Sequence, residues 1–262
     1  MYILESKQVS KHFGGLKAVD CVDMQVKKGE IFGIIGPNGA GKTTFFNLCA
    51  GTYPVTSGEI WFDGQNTTNK APDQMAKLGL ARTFQNIKLF DFMTVSENIA
   101  VGFHIHTKTN LLDALLHTKR FKQEEEMIRQ ETKMTLEELG LSQYADVKAN
   151  NLSYGLRRKV EIARTLVMKP KILLLDEPAA GMNPSETVEL LEFVKKLNKM
   201  GYTIVVIEHD MKFIMNLCDR ILVLNYGKKI CEGTPQDIKN SQTVAEAYFG
   251  KGLAASGGEI NA

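Results

Sequence analysis

Gly36-Pro37-Asn38-Gly39-Ala40-Gly41-Lys42-Thr43 fits the spacing G-x-x-x-x-G-K-[ST] and lies between two segments of different character. Before it, Ile31-Phe32-Gly33-Ile34-Ile35 is a short apolar run that reads as a buried strand. After it, Thr44-Phe45-Phe46-Asn47-Leu48-Cys49-Ala50 reads as the first turns of a helix. Strand, glycine-rich turn and helix N-terminus in that order make a phosphate cradle. The glycines let backbone N–H groups converge, and the helix end adds partial positive charge. Lys42 supplies a point charge for the β- and γ-phosphates, and Thr43 offers a hydroxyl to Mg²⁺. The stretch predicts a nucleoside triphosphate site.

Working outward, residues 2–35 read mostly as strands. Val22, Met24 and Val26 alternate with polar neighbours, the period of a half-buried antiparallel strand. Ile60-Trp61-Phe62 is another strand, closed by the Asp63-Gly64 turn signal. Leu173-Leu174-Leu175 and Thr203-Ile204-Val205-Val206-Ile207 are continuous apolar runs, as in parallel strands covered on both faces. A helix is predicted from Ser185 to Met200, with Val188, Leu191, Val194 and Leu197 as its apolar line. Ile221–Leu224 and Lys229–Glu232 flank Tyr226-Gly227 as a hairpin. From Phe90 to Thr165 no strand pattern appears. Leu111, Leu112, Leu115 and Leu116 there precede a mixed-charge helix whose Glu124-Glu125-Glu126 run reads as a solvated face. The tail from Gly252 to Ala262 is small and polar, the composition of a frayed end.

A second cluster of chemistry lies downstream. Ile172-Leu173-Leu174-Leu175-Asp176-Glu177 is an apolar strand ending in two carboxylates. Beside a phosphate loop, Asp176 stands where Mg²⁺ is held, and Glu177 stands where an attacking water would be oriented or deprotonated. Asn151-Leu152-Ser153-Tyr154-Gly155-Leu156 opens the helical stretch Arg157–Arg164, so Ser153 and Gly155 form a second anion site at a helix N-terminus. One triphosphate on one chain does not need two such sites.

Bulk properties narrow the class. The chain has 262 residues, 44% apolar and 24% charged, enough for one α/β domain with an appended subdomain. A formal net charge of +2 gives no electrostatic footprint for nucleic acid. No apolar run is long enough to cross a bilayer, and Met1-Tyr2-Ile3-Leu4-Glu5 lacks a signal-peptide pattern. Cys21, Cys49, Cys218 and Cys231 are scattered, the pattern of buried thiols in a reducing compartment, neither a disulfide framework nor a metal site. His104 and His106 have no partner cluster and read as a solvated loop, not a metal site.

Together these motifs resemble the ATP-binding cassette family, the ATPase subunits of ABC transporters, from about Ile3 to Gly250. The family's phosphate loop matches Gly36 to Thr44, that is Gly36, Pro37, Asn38, Gly39, Ala40, Gly41, Lys42, Thr43 and Thr44. Its glutamine loop matches Gln85 in Arg82-Thr83-Phe84-Gln85, and its signature motif, commonly L-S-G-G-Q, matches Leu152 to Leu156. The magnesium strand and catalytic glutamate match Asp176 and Glu177. The switch histidine matches His209 in Ile207-Glu208-His209-Asp210. Phe13, in Lys11-His12-Phe13-Gly14-Gly15, resembles the aromatic on which the family stacks adenine.

The resemblance implies an α/β fold: a P-loop NTPase (RecA-like) core with an N-terminal antiparallel β subdomain and an inserted α-helical subdomain. Residues 1–89 and 166–250 would form the core, 90–165 the helical subdomain and 251–262 a flexible tail. ATP and Mg²⁺ are the implied cofactors, with Thr43, Gln85 and Asp176 toward the metal and Glu177, His209 and Gln85 catalytic. The family also implies a head-to-tail dimer in which Ser153 and Gly155 of one subunit meet the γ-phosphate held by the other. Three positions depart from the pattern: Tyr154 replaces the first signature glycine, Leu156 the glutamine, and Asn183 an aspartate.

Within the family, four stretches look most like ATPase subunits of branched-chain amino acid importers. They are Phe13–Val19, Ala81–Asn86, Asp176–Pro184 and Ala247–Gly250. The expected partners are integral membrane permease subunits, a second cassette (a sister or a copy of itself) and, indirectly, a solute-binding protein, with no nucleic acid. The expected location is the cytoplasmic face of the inner membrane, as a peripheral subunit. Amide or urea uptake, lipid export and a soluble non-transport ATPase are the alternatives. Phe90 and Phe92, in the apolar stretch Asn86–Met93, are expected to line a groove for a short helix of a membrane subunit.

Overall fold

The computed structural model describes residues 1–107, 109, 113 and 115–249, without the side chains of 105, 106 and 249. Leu111, Leu112, the His106 ring, Gly250 and the tail 251–262 lie outside the described residues. The chain runs through β1 (Tyr2–Phe13), β2 (Leu16–Lys27), β3 (Ile31–Ile35), α1 (Lys42–Cys49), β4 (Ser57–Phe62), β5 (Gln65–Asn66), α2 (Pro72–Leu78) and β6 (Leu80–Arg82). Three helices follow, α3 (Val95–Val101), α4 (Lys119–Leu139) and α5 (Tyr154–Leu166). Then come β7 (Ile172–Asp176), α6 (Pro184–Lys199), β8 (Thr203–Ile207), α7 (Met211–Leu217), β9 (Arg220–Asn225), β10 (Lys228–Gly233), α8 (Pro235–Lys239) and α9 (Gln242–Phe249).

These elements divide into two compact units. The first takes in Met1–Gln85, Lys171–Ala180 and the chain from Val194 onward. It holds an antiparallel sheet in the order β2-β1-β4-β5 and a six-stranded sheet in the order β10-β9-β3-β8-β7-β6. In the second sheet, β9, β3, β8, β7 and β6 are parallel, and β10 returns antiparallel through a Tyr226-Gly227 turn. Both turn residues have positive φ, 46° and 76°, the backbone that suits a tight hairpin. In β2, Val22, Met24 and Val26 are buried while Cys21, Gln25 and Lys27 face out. In β3, β7 and β8 every position is buried, as a parallel sheet with both faces covered requires. Phe45, Phe46 and Leu48 of α1 share one core cluster with residues of both sheets, among them Val9, Met24, Ile34, Leu174 and Leu222. Burial of each such side chain is worth about 1.5–3 kcal/mol, so α1 fastens the loop before it to the core.

The second unit takes in Asn86–Pro170 and Gly181–Phe193. It is built from α3, α4, α5 and the first half of α6, with one isolated bridge between Thr94 and Lys148. The sequence reading set this part at 90–165; the contacts extend it to 86–170 and add 181–193. Those added residues join because Glu189 of α6 pairs with Lys159 of α5 at 2.8 Å, and Glu186 accepts from the Gly155 amide at 3.0 Å. At Gly102, which follows α3, a Cβ would lie 2.2 Å from the Arg164 carbonyl oxygen, so only glycine permits that approach to α5. In α4, Glu125 and Glu126 are exposed, while Thr132, Leu136 and Leu139 are buried.

One helix face differs from its expected form. The predicted line on α6 was Val188, Leu191, Val194 and Leu197, but the structure buries Leu190, Phe193, Val194 and Leu197 and leaves Val188 62% exposed. A step of three residues falls about 60° short of a full turn, so Val188 and Leu197 end on opposite faces of the helix. Of the four thiols expected to be buried, Cys49 and Cys218 are, whereas Cys231 is half-buried and Cys21 is exposed because it falls on the outward-facing positions of β2. Burial pushes the Cys49 thiol up to about 12 and raises that of Cys218 as well.

Candidate functional site

Strand register places the carboxyl ends of three parallel strands level. Ile34 of β3 and Asp176 of β7 both pair with Ile207 of β8. The residues just beyond those ends are Gly36, Glu177, Glu208 and His209. The edge beyond the carboxyl ends of such strands is where open α/β sheets take ligands.

The phosphate loop leaves β3 at Gly36, whose φ is 154°; a Cβ there would lie 2.1 Å from the Leu224 carbonyl oxygen. At Gly41, φ 95°, a Cβ would lie 2.3 Å from the Ala18 carbonyl oxygen. The loop is therefore pressed between backbone segments that no side chain could enter. Gly41 is the N-cap of α1 and brings no side-chain cap, and the first turn has no acidic residue, so no side chain of the helix's own start takes up its first amides. Lys42 is nearly buried, and its Nζ donates to the carbonyls of Gly36 (2.7 Å) and Pro37 (3.1 Å). Burial holds its ammonium below the ordinary lysine range, opposed by the Glu177 carboxylate. A cavity of about 450 Å³ has residues 39–44 on one side and Leu16, Ala18 and Tyr226 on the other. Thr43 is exposed and Thr44 half-buried in that wall. Phe13 is not part of the wall. It ends β1 with its ring edge-on to Tyr53, centroids 5.7 Å apart, and Lys11 Nζ 5.1 Å from the ring centroid.

Asp176 is buried at the end of β7, and its Oδ2 accepts from the Arg82 guanidinium at 2.7 Å. Arg82 also donates to Asn47 Oδ1 of α1 and lies against the rings of Phe46 and Phe84. The next residue, Glu177, has φ 43°, an unusual backbone for a non-glycine residue and one seen at functional turns. Its amide donates to the Ile207 carbonyl (2.9 Å), and its Oε2 accepts from Gln85 Nε2 at 2.8 Å. His209 Nδ1 lies 3.9 Å from the same oxygen and 3.7 Å from Glu208 Oε2. Glu177 is half-buried and His209 exposed, so the pair faces outward from the strand ends. Glu208 is buried; it accepts from the amides of Ala179 (2.7 Å) and His209 (3.1 Å), and burial raises its carboxyl despite them.

The first unit thus brings together Lys42, Asp176, Glu177, Gln85 and His209 around the strand ends. Sequence reasoning missed Arg82 and Glu208. For Glu208 a signal existed, an acidic residue directly after a five-residue apolar strand, the same pattern that marked Glu177.

In the second unit, Ser153 is the N-cap of α5 and its Oγ accepts from the Leu156 amide at 3.4 Å. The Gly155 amide donates to Glu186 Oε1 at 3.0 Å, so the amide expected to meet phosphate is engaged by a carboxylate of this chain. Asn183 caps α6, its Oδ1 accepting from the Glu186 amide at 3.0 Å. Phe90 and Phe92 are exposed, and buried Asn98 holds their loop by accepting from the Phe90 amide (2.8 Å) and donating to the Phe90, Met93 and Thr94 carbonyls. The large groove of this unit, about 1070 Å³, lies elsewhere than expected. Met93, Ala100, Ile128 and Leu136 line it, and the two phenylalanines do not. No helix among the described residues is long and apolar enough to cross a membrane.

A family model described as ABC transporter matches residues 19–180, and one described as branched-chain amino acid ATP-binding cassette transporter matches residues 228–254. The chain is 42% identical over 250 residues to the high-affinity branched-chain amino acid transport ATP-binding protein BraF of Pseudomonas aeruginosa, covering 95% of this chain and 98% of that one. It is 44% identical over 250 residues to the corresponding protein LivG of Escherichia coli, with the same coverage. Among solved structures, the ADP conformation of an ATP-binding cassette of an ABC transporter is 35% identical with a TM-score of 0.83, covering 96% of this chain and all of that one. A dimeric post-hydrolysis cassette bound to ADP and Pi is 27% identical with a TM-score of 0.72, covering 89% of this chain and 99% of that one. The chain belongs to the ABC transporter family: it is a nucleotide-binding ATPase subunit, similar to those of branched-chain amino acid transporters.

Proposed function

We propose that this subunit hydrolyses MgATP in a head-to-tail cassette dimer and thereby energises import of branched-chain amino acids. The observation that carries the chemistry is the gathering of Gln85, Glu177 and His209 at the strand ends, with the Lys42 ammonium close enough to feel the Glu177 charge. In this reading residues 36–44 and Lys42 bind the phosphates. Glu177 takes the proton of the attacking water, and Gln85 and His209 orient that water and the γ-phosphate. Thr43, Asp176 and Gln85 offer hydroxyl, carboxylate and amide oxygens, a donor set suited to Mg²⁺. Bound there, Mg²⁺ would neutralise charge on the β- and γ-phosphates. Arg82 holds Asp176 by one oxygen and so fixes its direction. Phe13 presents a half-exposed ring for adenine, and Ser153 and Gly155 serve the ATP of the facing subunit.

Partners follow from the same reading. Phe90 and Phe92, displayed on a loop that Asn98 ties down, receive permease subunits, and the chain works peripherally at the cytoplasmic face of the membrane. The facing cassette is a sister subunit or a second copy, and a solute-binding protein delivers the cargo. Similarity to BraF and LivG supports branched-chain amino acids as that cargo.

Glu177→Gln tests the chemistry. It should bind ATP within about twofold of wild type and lose hydrolysis by at least about 100-fold, accumulating as a dimer with ATP. Wild-type phosphate release by that variant would require another base. Leucine, isoleucine or valine uptake into vesicles carrying the full transporter tests the cargo; uptake of amides or urea alone would reassign it.

A further inference from the structure

Two helix N-termini converge on one carboxylate. Glu186 Oε1 accepts from the Gly155 amide in the first turn of α5 (3.0 Å), and its Oε2 accepts from the Asn183 amide that precedes α6 (3.2 Å). The fit is close: a Cβ built on Gly155 would lie 3.1 Å from both Cβ and Cγ of Glu186. The carboxyl is held below the ordinary glutamate range, first by the Gly155 amide, then by the Asn183 amide, with the Ser153 hydroxyl and the Lys159 charge adding to the effect. Glu186 therefore engages the Gly155 amide, one of the two donors to which the proposed dimer assigns a γ-phosphate, and lies beside the other, Ser153.

An α-helix N-terminus favours one anion, and two anions at the same amide repel each other. We propose that Glu186 is an internal stand-in for phosphate: it holds the Gly155 amide until the γ-phosphate on a facing subunit displaces it. This rests on the dimer reading above. Displacement leaves the carboxylate with partners at hand. Asn183 N still holds Oε2, and Lys159, one turn along α5 from Gly155, is the nearby cation, now paired with Glu189. The residue acts by competition, so it tunes how much ATP is needed to close the dimer. Glutamine at this position keeps an acceptor for the cap of α6 but carries no charge to oppose phosphate.

The test places Glu186→Gln in the Glu177→Gln background and follows dimer formation by sedimentation velocity across an MgATP titration. The expected result is half-maximal dimerisation at an ATP concentration about three- to tenfold lower than for Glu177→Gln alone, with monomer nucleotide affinity unchanged. An unchanged or higher midpoint would overturn the proposal. Glu186→Ala separates a plain capping role: loss of the cap should lower its melting temperature, while the midpoint should still fall. If Glu177→Gln alone never dimerises with ATP, the self-pairing reading fails. The contact is then judged by amide exchange at Gly155, which should accelerate by about tenfold or more in Glu186→Ala; unchanged protection would sink the proposal.

Discussion

Lys42 feels two opposing influences: burial disfavours its charge, and the Glu177 carboxylate favours it. Its ammonium bridges two carbonyls of its own loop, so it already sits above the cradle where phosphate oxygens would come. Lys42→Ala removes a charged hydrogen-bonding partner worth about 1.5–3 kcal/mol, and triphosphate affinity should fall roughly ten- to hundredfold in equilibrium titration with a fluorescent ATP analogue. Retained affinity would remove Lys42 from its assigned place. Lys42, Asp176 and Glu177 were legible because each has its place fixed by near neighbours, a glycine loop or the end of an apolar run. Arg82 and Glu186 were not. The carboxylate that Arg82 holds and the Gly155 amide that Glu186 accepts from lie 94 and 31 residues away along the chain, and only strand register or helix packing brings them together.

Among the elements, parallel strands were read best, because a strand buried on both faces is an unbroken apolar run. Helices were read by existence more than by face. The α6 line followed residues three apart, and the face that packs follows the 3.6-residue turn instead. The short helix α2 escaped notice because seven residues carry little periodic signal. The junction of α3 and α5 turns on one missing methyl group. Gly102→Ala would force a Cβ against the Arg164 carbonyl oxygen and the Val167 side chain, so the helices must separate. We expect a loss of about 1–3 kcal/mol, visible as faster amide exchange in α3 and α5, with strand amides of the first unit unchanged. Unaltered protection of both helices would show that the contact is looser than it stands here.

At the scale of the whole molecule, strand and helix patterns pointed to a helical insertion in an α/β core, and the family resemblance implied the separate antiparallel sheet. What the molecule does with its partners is carried by surface residues, which no core pattern specifies. Phe92 is 82% exposed and Phe90 51%, on a loop braced by Asn98 and by the Arg157–Asp91 ion pair. A large exposed aromatic on a fixed loop is costly unless something covers it. Phe92→Asp should keep basal ATPase activity within about twofold and cut transport by the reconstituted complex roughly tenfold or more. Full coupling and assembly in that variant would point the permease to another surface.

The cysteine thiols carry a consequence of their own. Cys21 is exposed on the edge strand of the four-stranded sheet, whereas Cys49 at the C-terminal end of α1 and Cys218 after α7 are sealed and held as thiols by burial. The thiolate is the form that reacts with alkylating reagents. A maleimide dye will therefore mark Cys21 on the native fold, and labelling of Cys49 and Cys218 will keep time with the opening of the core itself.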